Sequence, residues 1–242
     1  MCGIMLFAKW ARRLAHLSIL MLNYSMIEFD VPPDGGLLVV LSGTMGSGKG
    51  AVTEELLRSL ADFRVGRVTS ATTRHRREGE IEGEKYFYMT REEFMRREDL
   101  GEFLEVNPAF ANGERYGTLS SELLHKLVEN DIVIHEVNIS GARAIRDLYK
   151  EARTREKLLT VFLMPGEPWR DTVLKRIGED IQNPRDGIRA RLKEAEIEIS
   201  HKDEYDAVVE NRDGYLENCV SDIKGLILKQ LSLVKIQKQD KI

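Results

Sequence analysis

Leu37-Leu38-Val39-Val40-Leu41-Ser42-Gly43-Thr44-Met45-Gly46-Ser47-Gly48-Lys49-Gly50 decides the fold of this 242-residue chain. Residues 37–41 are continuously apolar, the pattern of a strand buried on both faces of a parallel sheet. Residues 43–50 carry a G-x-x-x-x-G-K frame, and residues 51–60 read as a helix. Strand, glycine-rich loop and helix make the first βα unit of an α/β fold. Glycines let the backbone curl so that successive N–H groups point into one concavity. The helix N-terminus adds partial positive charge, and Lys49 adds a full one. Gly43, Thr44, Met45, Gly46, Ser47, Gly48, Lys49 and Gly50 are therefore candidates to hold the phosphates of a nucleotide. After such a lysine, Ser or Thr commonly supplies a hydroxyl to Mg²⁺. Gly50 has none, so magnesium would depend on phosphate oxygens, water and an acidic side chain. Glu136, at the end of the apolar run 132–137, is the candidate, acting through water.

Outward from this unit the pattern alternates. Residues 32–36 (Pro-Pro-Asp-Gly-Gly) are breakers, and they set off an N-terminal extension, 1–36. Strands are expected over 67–72, 85–89, 102–106, 132–137, 158–164 and 207–210. Helices are expected over 91–98, with Thr90 as N-cap, over 121–129, with Ser120 as N-cap, and over 141–149, 168–177, 188–201 and 215–234. A Lys-rich tail, 231–242, follows.

Composition excludes several classes. With 42% hydrophobic and 31% charged residues the chain can fold around a core rather than remain disordered. A net charge of −4 leaves no general footprint for nucleic acid, so any anion must be held by a local cluster. Cys2 and Cys219 make neither a disulfide framework nor a zinc site. His16, His75, His125, His135 and His201 show no ligand spacing and read as surface or satisfied core side chains. Lys9, Arg12 and Arg13 interrupt the apolar groups of residues 1–26, so no run reaches the length of a membrane span. A secretory signal is a poor fit, Met21 and Met26 are alternative starts, and a cytoplasmic location is expected.

A second segment narrows the reading. Ser70-Ala71-Thr72-Thr73-Arg74-His75-Arg76-Arg77-Glu78-Gly79-Glu80 is followed by Tyr86, by Phe103-Leu104-Glu105 and by Tyr116-Gly117-Thr118. This series resembles the guanylate kinases, over about residues 37–227. The resemblance implies a P-loop NTPase-type three-layer fold with a parallel central sheet. It implies a kinase-like domain at 37–230, an inserted GMP-binding region near 70–118 and a small lid near 166–190. It also implies ATP and GMP as substrates with Mg²⁺ as cofactor. Arg74 and Arg77 would grip the GMP phosphate with forked donors, and Tyr86 and Tyr116 would add hydroxyls. Glu80 would hold the arginines. Glu105 would accept from N1–H and the 2-amino group of guanine, with Ser70 and Thr118 at neighbouring base atoms. Adenine has neither donor and would leave a buried carboxylate unpaired, which is a strong form of rejection. Lys49, Arg74, Arg176 and Arg191 would surround the transferring phosphoryl group, and Asn211 would lie near the adenine of ATP.

The chain departs from the family pattern at several positions. Gly50 is shared with some nucleoside monophosphate kinases. Glu136-Val137-Asn138-Ile139-Ser140-Gly141 stands where the family shows Asp-x-Asp-x-Gln-Gly. Asn138 loses a charge at the guanine site, but its amide oxygen can still accept from the 2-amino group. Asp180 stands where a second lid arginine is expected, with Arg185 as a possible substitute. Two other readings follow from these departures: an impaired guanylate-kinase-like binding module, and a P-loop kinase for another small phosphorylated metabolite. Monomer and homodimer are both open.

Overall fold

The computed structural model describes residues 31–107, 113–178, 182 and 186–239. Asp180, Arg185 and most of the N-terminal extension lie outside them. Five strands form a parallel sheet in the order β2-β7-β1-β8-β9: β1 (Leu37–Gly43), β2 (Val65–Arg67), β7 (Ile132–Glu136), β8 (Leu158–Pro165) and β9 (Ala207–Asn211). The run that opens the fold is its middle strand, and both its faces are covered. Leu38 and Val40 pack with Leu123, Leu127, Ile145 and Tyr149, from helices α3 (Ser120–Glu129) and α4 (Ile139–Glu151). Leu37, Val39 and Leu41 pack with Val52 and Leu56 of α1 (Lys49–Ser59) and with Val220, Ile223 and Ile227 of α7 (Leu216–Gln239). The alternation of side chains along a strand divides one apolar run between two cores.

A second sheet, in the order β4-β3-β6-β5, is inserted between β2 and α3 in the chain. It comprises β3 (Ser70–Thr72), β4 (Tyr86–Tyr88), β5 (Phe103–Val106) and β6 (Tyr116–Leu119). Helix α2 (Arg91–Asp99) closes it, with Thr90 Oγ1 accepting from the Glu93 amide as the sequence predicts. Phe94 fills the small core under this sheet, between Ala71 and Leu119, and stacks on Phe103 with ring centres 4.4 Å apart.

The structure differs from the sequence-based expectations in several places, among them strand β6, which was not expected. The single strand expected over 67–72 is two strands in two sheets, because the Val68 amide still bonds Ile134 in the central sheet while Ser70 pairs with Tyr86 in the other. Ser120 is the first residue of α3 and not its cap; its amide donates to the Glu102 carbonyl. The closing helix continues to Gln239 through the stretch expected as a tail. Within the expected lid, 166–190, lies helix α5 (Trp169–Arg176), and helix α6 (Asp186–Ser200) begins there. Among the described residues no helix is long and apolar enough to cross a membrane.

The inserted sheet has a separate core, so it is expected to open on its own. Phe94→Ala removes its plug, a loss of about 3–5 kcal/mol for a buried phenylalanine. Amide hydrogen exchange in β3, β4, β5 and β6 is expected to speed up about 100-fold or more, with β1 and β8 little changed. Equal acceleration in both sheets would show instead that they unfold as one unit.

Candidate active site

All five parallel strands end on one edge, and Gly43, Arg67, Glu136, Pro165 and Asn211 are their last residues. That edge is where open α/β sheets bind ligands. The loop 43–50 leaves β1 there with Gly43 at φ +148°, Gly46 at +68° and Gly48 at +89°. A side chain on Gly43 would meet the Leu163 carbonyl at 2.4 Å, so close passage of β8 also demands glycine. Around Gly50, by contrast, a Cβ would meet nothing within 4 Å.

The loop is held from inside and outside. Lys49 Nζ donates to the carbonyls of Gly43 and Thr44. Burial pushes its ammonium below the usual lysine value, while the charges of Glu198 and Glu136 oppose that shift. Asn211 Nδ2 donates to the Ser47 carbonyl at 2.9 Å. Arg176 donates to the carbonyls of Gly46 (2.9 Å) and Asn211 (2.6 Å), and pairs with Asp213 at 2.8 Å. Arg191, on α6, lies close enough to act electrostatically on both Lys49 and Glu198. Lys49, Arg176, Arg191 and Asn211 are thus brought to one loop. Asn211, expected beside adenine, has its side-chain amide bound to the backbone of this loop.

The inserted sheet carries the second cluster. Arg74 is buried and reaches Glu80 Oε1 at 2.8 Å and the His75 carbonyl at 2.9 Å. Its guanidinium lies over the rings of Tyr86 and Tyr88, 5.4 and 5.5 Å from their centres. Tyr86 in turn stands edge-on to Tyr116, with centres 5.6 Å apart. Glu80 Oε2 accepts from the Arg77 amide and from the Tyr88 hydroxyl, both at 2.8 Å. The bond from Arg74 is the main cause that holds the Glu80 carboxyl down at about 2. Being depressed, this group lends stability above the ordinary glutamate value and loses it as pH falls towards 2. Glu80 therefore positions the Arg74 side chain but only the backbone of Arg77, whose guanidinium is exposed. Tyr88 is a member of this cluster that the sequence reading missed; the Tyr86-Phe87-Tyr88 alternation, which puts both tyrosines on one face, could have revealed it.

Between the clusters lies a third group. Glu105 and Thr118 face each other across β5 and β6, and Thr118 Oγ1 bonds Glu105 Oε1 at 2.7 Å. Glu105 Oε2 is buried with no hydrogen-bond partner, and burial raises the carboxyl pKa. Thr118 Oγ1 is also 2.9 Å from His135 Nε2, so His135 is neither a surface residue nor a fully satisfied core one: its Nδ1 is buried without a partner. Burial pulls that imidazole down to about 3. Ser70 opens β3 opposite Tyr86. Asn138 caps α4, its Oδ1 accepting from the Gly141 amide (3.0 Å) and the Ser140 hydroxyl (2.8 Å). This is the oxygen expected to receive the guanine 2-amino group; Ser140 Oγ also lies 3.3 Å from Asn107 Oδ1, a second acceptor for its one proton. Glu136 pairs with Arg67 at 2.8 Å, and Arg67 also reaches Glu54 at 3.0 Å. Glu136, Arg67 and Arg74 all act electrostatically on Tyr86, so the two halves of the site share one field.

Residues 36–230 match the family model described as guanylate kinase. The guanylate kinase of Mesomycoplasma hyopneumoniae is 34% identical over 194 residues, covering 80% of this chain and 95% of that one. That of Mesoplasma florum is 36% identical over 197 residues, covering 81% of this chain and 61% of the longer relative. The crystal structure of guanylate kinase from Anaplasma phagocytophilum superposes with a TM-score of 0.60 at 27% identity, covering 82% of this chain and 87% of that one. By this match and the fold that carries it, the chain belongs to the guanylate kinase family, nucleoside monophosphate kinases that move a phosphoryl group from ATP to GMP.

Proposed function

We propose that the loop 43–50, with Lys49, holds the phosphates of ATP, and that the inserted sheet presents GMP to them. The observation that carries this reading is Glu105 Oε2: a buried acceptor without a partner, beside the hydroxyl of Thr118. N1–H and the 2-amino group of guanine supply donors for it; adenine supplies neither, which would leave the carboxylate unpaired. Arg74 spends donors on Glu80 and His75 and keeps the rest of its fork for a phosphate. Arg77 and the hydroxyls of Tyr86 and Tyr116 complete that grip, and Ser70 borders the base.

Transfer then needs no covalent intermediate. Positioning and charge neutralisation supply most of the rate in phosphoryl transfer. Lys49, Arg176 and Arg191 provide the positive charge on the donor side, and Arg74 provides it on the acceptor side. Asn211 acts through the loop, by fixing the Ser47 carbonyl. The donor set suits Mg²⁺ brought in with a nucleotide: one carboxylate, Glu136, stands among the last residues of the parallel strands, and among the described residues no group of three or more acidic, histidine or cysteine side chains could hold a metal ion by itself. Glu136 would hold it through water, and the ion would neutralise charge on the phosphate oxygens.

Purified protein with Mg-ATP is expected to form ADP with GMP, and not with AMP, UMP or no acceptor. Turnover with another acceptor, or none at millimolar GMP, overturns the assignment. Acidification supplies a second check. The ionised form of Glu105 is the acceptor, so KM for GMP is expected to rise as pH falls through a pKa above the usual glutamate value. Glu105→Gln should raise KM at neutral pH and abolish that limb; an unchanged pH profile in the variant places the titration elsewhere. Gly50→Ser is a third. The open space there accepts the side chain, and its hydroxyl is expected to lower the Mg²⁺ concentration needed for half-maximal rate. A higher requirement would show that the hydroxyl does not reach the ion.

A further inference from the structure

His135 is the one imidazole that links the two sheets through a side-chain bond to the base pocket among the described residues. It sits on β7 of the central sheet, wholly buried, and reaches Thr118 on β6 of the inserted sheet. Thr118 then reaches Glu105 on β5. We propose that His135 is a positioning residue for guanine selection: its Nε2–H fixes the Thr118 hydroxyl so that its single proton goes to Glu105. This inference rests on the GMP reading of the Glu105 pocket and adds a residue to it.

The argument is an inventory of protons. Thr118 has one O–H, and two groups compete for it, His135 Nε2 at 2.9 Å and Glu105 Oε1 at 2.7 Å. A buried, neutral imidazole carries one N–H. If that hydrogen is on Nε2, it is donated to Thr118 Oγ1, and the threonine hydrogen is left for Glu105. Both close contacts, His135 to Thr118 and Thr118 to Glu105, are then hydrogen bonds, and what stays unmatched is the Nδ1 lone pair and Glu105 Oε2, the atom offered to the base. If the hydrogen is on Nδ1, a donor is buried without an acceptor, because no partner lies there. Nε2 then takes the threonine hydrogen, and Thr118 Oγ1 faces the ionised, GMP-accepting form of Glu105 at 2.7 Å with no proton between them. The first arrangement is favoured on both counts. It makes Glu105 Oε1 an acceptor and holds Oε2 as the second one.

The surroundings agree with this geometry. Gly141 keeps the approach to Oε2 clear, since a Cβ there would stand 3.3 Å from that oxygen. Glu105 and Thr118 are register partners, so the pocket cannot move its two polar groups independently. β7 is packed within the central sheet between β2 and β1. His135 therefore ties the orientation of a pocket in the smaller sheet to an inner strand of the larger one.

Two measurements test the inference. Long-range ¹⁵N–¹H correlation spectra of the protein, with His135 assigned by its loss in His135→Gln, are expected to show the Nε2–H tautomer; Nδ1–H overturns it. In steady-state kinetics, His135→Leu is expected to raise KM for GMP about tenfold, with kcat within about twofold and KM for ATP unchanged. His135→Gln retains an N–H donor near the same place and is expected to recover most of the loss. An unchanged KM for GMP in His135→Leu, or equal losses in both variants, overturns the inference. Should His135→Leu fail to fold, the spectra and His135→Gln decide. Wild-type protein that forms no ADP with GMP would refute the GMP reading, and the tautomer would still judge the role of His135.

Discussion

A cation buried in a protein must be balanced, and the loop at 43–50 is built around that requirement. Lys49 is sunk among backbone, and burial disfavours its charge. Two loop carbonyls accept from its ammonium, and the charges of Glu198 and Glu136 oppose the penalty. The same carbonyls fix the curl of the loop, which in turn requires left-handed backbone at Gly46 and Gly48. Arg176 and Asn211 then clamp the outer carbonyls, at Gly46 and Ser47. The Ser47 amide donates to the Thr44 carbonyl, and on the proposed reading other amides of the loop would face the anion. A phosphate would add the negative charge that this arrangement only partly provides.

The acceptor side handles polar burial by two opposite means. Arg74 and Glu80 satisfy each other, with Tyr88 and the Arg77 amide completing the carboxylate. That pair holds a donor fork in place between tyrosine rings. Glu105 is left half satisfied, with one oxygen bonded and one not. A completed pair gives rigidity, whereas an incomplete one gives preference, because only a ligand with the right donors removes the cost. On the proposed reading, phosphate affinity and base choice therefore reside in different side chains on one sheet.

Much of this was legible in the sequence. The apolar run and glycine frame gave the central strand and loop, since both depend on local pattern and covalent geometry. The series from Ser70 to Thr118 gave the second cluster. What escaped was tertiary. Residues 67–72 read as one strand because hydrophobicity does not record a change of partner at Val68. Strand β6 has only four residues, one of them glycine, and exists through its pairing with β3 and β5. The bond from the Asn211 amide to Ser47, 164 residues away, is likewise not visible in the sequence. His135 lay inside an apolar run, where a single imidazole gives no sign of the threonine it meets.

The departures from the family pattern act on the same edge and can be weighed together. At position 138 an amide replaces an acid, yet it still caps α4 through its oxygen, so the backbone requirement is met while one negative charge is removed. At position 136 the acid is kept, one methylene longer, and Arg67 is paired to it across β2 and β7. Both features make the site less negative than two unpaired aspartates would. Gly50 removes a neutral hydroxyl and leaves the charge unchanged. On the proposed reading, with Asn138 capping α4, Glu105 is the carboxylate that would read the base, and the alignment of its two oxygens would matter more. The burden of selection would then fall on the Thr118 hydroxyl and on the group that orients it, which would give a histidine in an otherwise apolar strand a consequence beyond packing.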